Sequence, residues 1–364
     1  MKTLTVTYHH TTNYGAVLQT FALQQTILSL GHENQVLETT TSSHILKQKI
    51  PLLSKIKKCF SKLAYYFRRN KVDRLRNHFA DFHKKHLNLT RAYSSMDELR
   101  NDNIDADCLI TGSDQVWNFK TTPEFIDSRL LNFGKKDALR FSYAASMEST
   151  NLQPDDKERL SAALQNFSGI SLREEKVRAY VQTLTSKSCV RVLDPVFLLS
   201  QEKWNKIAIE PRYKGEYILC YQVLSNKHLP LFAKKLSEKT GLPVISICNG
   251  SLRWFNADYS YFDVSIEEFL GFYKNATYIL SASFHGTAMG LVYEKPVYAF
   301  IKKNSGNRIK EVMHLFNLDR FLIEGMDDDS IPLYSENDFL NIRQKKERCL
   351  SDSNLFLKKM LQNG

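Results

Sequence analysis

Two alternating rhythms of apolar and polar positions run along most of this chain. Short apolar runs at residues 4–8, 35–37, 106–111, 140–146, 190–193, 217–221, 243–248, 277–280 and 297–301 read as strands. Between them lie stretches of helical spacing. The first carries Val17, Leu18, Phe21, Ala22, Ile27 and Leu28 on one stripe, and Gly31 ends it. Further helices are expected at 154–167, 227–240 and 265–274, at a segment opening with Gly306-Asn307, and along an amphipathic stretch from Asp338. Strand–helix alternation of this kind predicts two Rossmann-like β/α domains facing a cleft. The expected boundaries are 1–200 for the first domain, 216–334 for the second and 335–364 for a C-terminal helical segment.

Residues 44–90 break the rhythm. Leu52, Leu53, Ile56, Phe60, Leu63 and Phe67 recur at helical intervals with lysines and arginines between them, and Val72, Leu75, Phe79 and Phe82 continue in a second register. The pattern predicts two amphipathic helices with a cationic face, inserted in the first domain. Between Lys47 and Arg91 stand 14 Lys or Arg residues against Asp73 and Asp81. The formal charge of +11 is therefore a local feature, and the remainder is close to neutral. A basic amphipathic insertion can pack on its own domain, meet anionic lipid, or meet a polyanionic acceptor. Nucleic-acid binding would also use such a patch, but no helix-turn-helix, zinc knuckle or RNA-binding signature accompanies it.

At 364 residues with 43% hydrophobic content, the chain can bury more than one core. The six cysteines are scattered without metal-ligand spacing, which predicts reduced thiols in a cytoplasmic protein. The polar N-terminus reads as a first strand rather than a signal peptide, and no run is long and apolar enough to span a bilayer.

Chemistry concentrates after the run 277–280. Ser281-Ala282-Ser283-Phe284-His285-Gly286-Thr287-Ala288 forms a small-residue turn opening a helix, with Lys295-Pro296 stopping it before the next strand. In open α/β sheets such a turn lies at the carboxyl ends of the strands, where ligands bind, and a helix N-terminus suits an anion. Other segments of similar standing are Asn13-Tyr14-Gly15-Ala16, Thr111-Gly112-Ser113-Asp114-Gln115-Val116-Trp117-Asn118, Tyr143-Ala144-Ala145-Ser146, Ser171-Leu172-Arg173-Glu174 and Leu193-Asp194-Pro195.

Together, and in this order, these six segments resemble the polysaccharide pyruvyl transferase family over roughly residues 4–320. The resemblance implies a fold similar to the GT-B glycosyltransferases and a transfer of pyruvate from phosphoenolpyruvate to a sugar. The product is a pyruvate ketal bridging two hydroxyls, with phosphate released. Acceptors in the family include wall polymers, exopolysaccharide repeat units and surface glycans, so a lipid-linked intermediate at the inner face of the membrane is the expected partner. No metal or organic cofactor is implied. The alternative for the same architecture is a glycosyltransferase with a nucleotide-sugar donor. One departure stands out: many members carry Arg-x-His-Gly, and here Ser283 replaces that arginine.

The donor's carboxylate and phosphate demand guanidinium groups. Arg173 and Arg308 are the candidates, although Arg173 could instead form an ordinary ion pair with Glu174. His285 is the expected general acid or phosphate-stabilising donor, with backbone N–H groups after Gly286 in the anion cradle. Ser283 is a phosphate donor or a tight-turn residue. Asp114 is a base toward the acceptor hydroxyl or, with Ser113, a helix cap. Trp117 either stacks on a sugar face or packs in the core. Asn13, Tyr14 and Gly15 are expected to line the cleft, with Gly15 also suited to a turn. Asp194, before Pro195, reads as a turn residue outside the catalytic set.

Overall fold

The computed structural model describes residues 1–40, 60–223, 225–248, 257–301, 307–325 and 331–362, with backbone alone at 60–69. The expected helix over 52–67 and its lysine-rich face, including Lys55, Lys57, Lys58 and Lys62, therefore lie largely outside the described side chains, as does Cys59.

Two parallel sheets organise the chain. The first contains β1 (Lys2–Val6), β2 (Glu33–Thr39), β3 (Leu89–Tyr93), β4 (Cys108–Thr111), β5 (Leu139–Ala145), β6 (Gly169–Leu172) and β7 (Cys189–Arg191). The second contains β8 (Ile218–Gln222), β9 (Val244–Cys248), β10 (Tyr259–Tyr261), β11 (Tyr278–Ser281), β12 (Val297–Phe300) and β13 (Leu322–Ile323). Their orders are β3-β2-β1-β4-β5-β6-β7 and β10-β9-β8-β11-β12-β13. Every residue of β4, β8, β9 and β12 is buried, because helices cover both faces. Strand order reverses between β1 and β4 and between β8 and β11, so each sheet has its switch point beside a segment singled out above. Among the described residues no helix is long and apolar enough to cross a membrane.

The strand runs read from the sequence lack β3, β10 and β13, three edge strands that are short or largely solvent-facing, and the four-residue interior strand β6. The sequence pattern also divided one helix in two. Residues Phe60–His86 form a single helix, so the change of apolar register near Val72 marks no break. Leu75, Phe79 and Phe82 bury on the same hydrophobic cluster as residues of both sheets' domains. The C-terminal helix, Glu336–Gln362, likewise joins the two. Ile342 packs in the cluster around the second sheet, whereas Leu357, Met360 and Leu361 pack beside Cys108, Ile110 and Phe141 of the first.

Helix Tyr14–Ser29 is the main element at the junction. Tyr14 donates its hydroxyl to the Val264 carbonyl at 2.7 Å and stacks on Phe269 with ring centroids 4.2 Å apart. Helix Ile266–Asn275 in turn receives the passage between domains, where the Ile209 N–H donates to the Glu267 carbonyl at 3.1 Å. A Cβ on Gly271 would stand 1.8 Å from the Ile209 carbonyl oxygen. Alanine is intrinsically better than glycine inside a helix by about 1 kcal/mol, but backbone cannot retreat as a side chain can. Gly271→Ala is expected to destabilise the protein by about 2 kcal/mol, read as a lower denaturant midpoint at unchanged slope.

Candidate active site

Four loops at the carboxyl ends of strands converge where the two sheets face each other. Ser113 and Asp114 follow β4, Arg173 and Glu174 follow β6, Asp194 lies just past β7, and His285 follows β11. At their centre is a charge cluster that carries 3% side-chain exposure at Arg173 and none at Asp194. Arg173 Nη1 donates to Asp194 Oδ2 at 2.6 Å and to Ser113 Oγ at 3.3 Å, while Nε donates to Glu174 Oε1 at 2.7 Å. The Ser113 hydroxyl donates to the same Asp194 oxygen at 2.8 Å. Phe284 lies under the Arg173 guanidinium, 4.1 Å from ring centroid to guanidinium carbon.

His285 approaches this cluster from the other domain. Its Nε2 stands 3.3 Å from Asp194 Oδ2, near enough for electrostatic pairing but without the alignment of a hydrogen bond. Burial opposes ionisation of Asp194, yet His285 and Arg173 outweigh it and hold the carboxyl well below the usual carboxylate range. Burial likewise disfavours the Arg173 cation, and Glu174 and Asp194 overcome it to raise its pKa. Three buried atoms here, Arg173 Nη2, Glu174 Oε2 and His285 Nε2, have no hydrogen-bond partner. Such orphans are rare in folded interiors and cluster where something else binds.

Arg308 sits at the more open side, with 37% of its side chain exposed and Nη1 3.9 Å from Asp114 Oδ1. Desolvation and the neighbouring Arg173 lower its pKa. Two guanidinium groups facing one cavity is an arrangement that an anion relieves. The cavity is lined by Arg173, Asp194, Phe284, Arg308 and Glu311 among others. Glu311 bridges the domains too, accepting from the Glu175 and Lys176 N–H groups that open helix Glu175–Gln182.

Glycine makes the approach of His285 possible. A Cβ on Gly15 would lie 2.3 Å from the His285 Cγ and Nδ1 and 2.5 Å from its Cβ. Gly15 therefore faces the imidazole. Asn13 caps the helix, its Oδ1 accepting from the Gly15 N–H at 3.0 Å. Tyr14 is fully buried in the interdomain contact, so it holds the halves together and presents nothing to a substrate.

Other expectations need correction. Trp117 has no exposed surface and packs edge-on against Phe167, so it offers no face to a sugar. Gly286 gives its N–H to Ser283 Oγ at 3.4 Å, and the Thr287 N–H goes to the Ser283 carbonyl at 2.9 Å. These groups belong to the helix cap and not to an anion cradle. Gly286 is glycine because Ser281 Oγ, Tyr221 and Tyr273 leave no room for a Cβ. Ser283 caps the helix and remains half-buried. Asp114 caps no helix: it adopts φ 67°, and the next helical turn begins only at Pro123. Arg173 forms the ion pair with Glu174 that was one of its two alternatives.

Asp194 is the residue that the sequence reading left out. It does the turn's work, accepting from the Val196 N–H through Oδ1 at 3.1 Å, while Oδ2 serves Arg173, Ser113 and His285. Its position just past the carboxyl end of strand β7 was the available signal. Asp194→Asn should destabilise the protein by about 3–5 kcal/mol, since it leaves the Arg173 cation buried with reduced compensation. Because the folded pKa of Asp194 is depressed, its stabilisation is fully present above the unfolded value of about 3.9 and is lost as pH falls toward the folded one. The gap between wild type and Asp194→Asn in urea unfolding should accordingly shrink in acid; a gap that grows below about pH 4 would contradict the assignment.

The architecture is shared with solved structures of low sequence identity. UDP-GlcNAc 2-epimerase from Neisseria meningitidis, bound to UDP-GlcNAc, is 11% identical, with all of both chains covered and a TM-score of 0.51. UDP-GlcNAc 2-epimerase from Methanocaldococcus jannaschii is also 11% identical over all of both chains, with a TM-score of 0.52. A glycosyltransferase from Rickettsia africae is 14% identical, covering 100% of this chain and 99% of that one, with a TM-score of 0.50. At these identities the likeness is one of fold, a GT-B-like pair of parallel-sheet α/β domains. No curated protein matches the chain. The sequence model of polysaccharide pyruvyl transferases matches residues 13–304, which span all six segments and every loop of the cluster, and the chain belongs to that family.

Proposed function

We propose that the protein transfers a pyruvyl group from phosphoenolpyruvate to two hydroxyls of a saccharide, giving a pyruvate ketal and inorganic phosphate. The observation that carries this reading is His285 held against the buried Asp194–Arg173 pair, with Arg308 facing the same cavity. Arg308 and the free Nη2 of Arg173 are the groups suited to the donor's carboxylate and phosphate. They stand in for the arginine that Ser283 replaces, and Ser283 Oγ–H can add a hydrogen bond to phosphate.

In the proposed reaction His285 delivers a proton to the methylene carbon of the enol phosphate, which makes C2 electrophilic. One sugar hydroxyl adds to C2 as a base removes its proton. The second hydroxyl then displaces phosphate, its proton leaving with the departing group, and the ring closes. Asp194 keeps the imidazole oriented. Asp114, half-buried and beside Arg308, is the carboxylate placed to accept the hydroxyl proton. The acceptor is proposed to be lipid-linked, with the basic segment around residues 47–91 directed to anionic lipid at the membrane surface.

Incubation with phosphoenolpyruvate and lipid-linked or simple β-galactosides should release phosphate and add one pyruvyl ketal per acceptor, read by mass spectrometry. His285→Ala should reduce turnover by about 10²–10⁴-fold in a folded protein. Turnover with a nucleotide sugar in place of phosphoenolpyruvate, or an unaffected alanine variant, would overturn the assignment. Gly15→Ala tests the geometry separately. Displacing His285 by about 1 Å should cost on the order of 10²-fold in kcat, with KM for phosphoenolpyruvate changed far less.

A further inference from the structure

A second polar cluster lies at the carboxyl end of β1, outside the residues used above. His9 and His10 follow the strand, and Glu38 projects from neighbouring β2. His9 has no exposed surface, His10 retains 7%, and the Glu38 side chain 17%. His9 Nε2 stands 3.3 Å from Glu38 Oε2, and His10 Nδ1 stands 3.2 Å from Glu38 Oε1. Among the described residues this is the group of three His, Cys, Asp or Glu side chains whose ligand atoms converge, all within 4.8 Å of one another.

The hydrogen bonding fixes which nitrogen of His9 faces the cluster. His9 Nδ1 lies 3.2 Å from the Thr7 carbonyl, an acceptor, so Nδ1 must carry hydrogen. That leaves Nε2 as the atom facing Glu38, and a divalent ion set among the three groups would take its lone pair together with one from His10 Nδ1 and one from the carboxylate. The two imidazole–carboxylate separations, each to a different Glu38 oxygen, match the roughly 3.3 Å between neighbouring ligand atoms that bonds of about 2.0–2.1 Å to a tetrahedral ion give. The Thr7 carbonyl is the kind of outer partner that fixes the tautomer of a ligating histidine.

We propose that His9, His10 and Glu38 form a binding site for a late first-row divalent metal of the zinc class. Two imidazole nitrogens with one carboxylate suit such an ion better than magnesium or calcium, which prefer all-oxygen sets. The three ligands leave a fourth position. His83, 6% exposed, presents its ring edge-on at 5.7 Å from His9 and 6.5 Å from His10, and its Nε2 has no partner. His83 lies outside the converging group, so a water is the fourth ligand proposed here. The metal would pin the loop that leads into helix Tyr14–Ser29, and with it the Gly15 backbone against His285.

The test uses untagged full-length protein, stripped with a chelator and dialysed against Zn(II) or Co(II). One equivalent of metal by elemental analysis, with the visible absorption of tetrahedral Co(II), is the expected result. His10→Gln and Glu38→Gln should each weaken binding by about a hundredfold or more, since even outer partners of a ligand are worth 10–100-fold. Uptake far below one equivalent in the wild type, or equal uptake in both variants with intact circular dichroism, would overturn the proposal. Should the variants fail to fold, the wild-type Co(II) spectrum decides: octahedral, weakly absorbing metal means no site of this kind.

Discussion

A guanidinium buried between two carboxylates is the constraint around which this molecule is arranged. Arg173, Asp194 and Glu174 are almost wholly removed from water. An ion in such surroundings is tolerable only with partners held at hydrogen-bond distance. Meeting that condition requires the loops after β4, β6 and β7 to close on one point, because Ser113, Arg173 and Asp194 come from three strands. The net result is an acidic oxygen, Asp194 Oδ2, fixed in place and aimed at the opposite domain. His285 meets it there.

The second requirement is close approach. Helix Tyr14–Ser29 and helix Phe284–Val292 come near enough for the imidazole to rest on bare backbone, which only a residue without Cβ allows. Tyr14 secures the same contact from beside it by burying its ring on Phe269 and satisfying its hydroxyl on Val264. The long helices Phe60–His86 and Glu336–Gln362 brace the junction from two sides. Chemistry placed between domains thus rests on packing that is continuous across them.

Charge near the cavity is mixed, with Arg173, Arg191 and Arg308 set among Glu174, Asp194 and Glu311. Desolvation and, after it, the nearby Arg173 depress the pKa of Arg308, and Asp114 offsets only part of their effect. The N–H groups that open helix Glu175–Gln182 already hold the Glu311 carboxylate. Those that follow Ser283 are closed by its own cap. The donor binding proposed above would therefore rest on side chains more than on helix ends.

Much of the architecture was legible in the chain itself, because local rules control it. Continuous apolar runs can only be strands covered on both faces, and residues placed just past them arrive at the carboxyl edge of a parallel sheet. That reasoning located His285, Arg173, Ser113 and Asp114. It did not distinguish partners from bystanders. Trp117 and Tyr14 occupy the same kind of position as Asp114 but point into packed interior, a choice made by neighbours distant in sequence. Asp194 looked like a turn residue because its Oδ1 is one; the task of Oδ2 depends on β6 and β11, which no local pattern reports. Edge strands and the unbroken helix Phe60–His86 escaped for the same reason. Periodicity records which face of an element is buried, whereas only the folded chain decides what buries it.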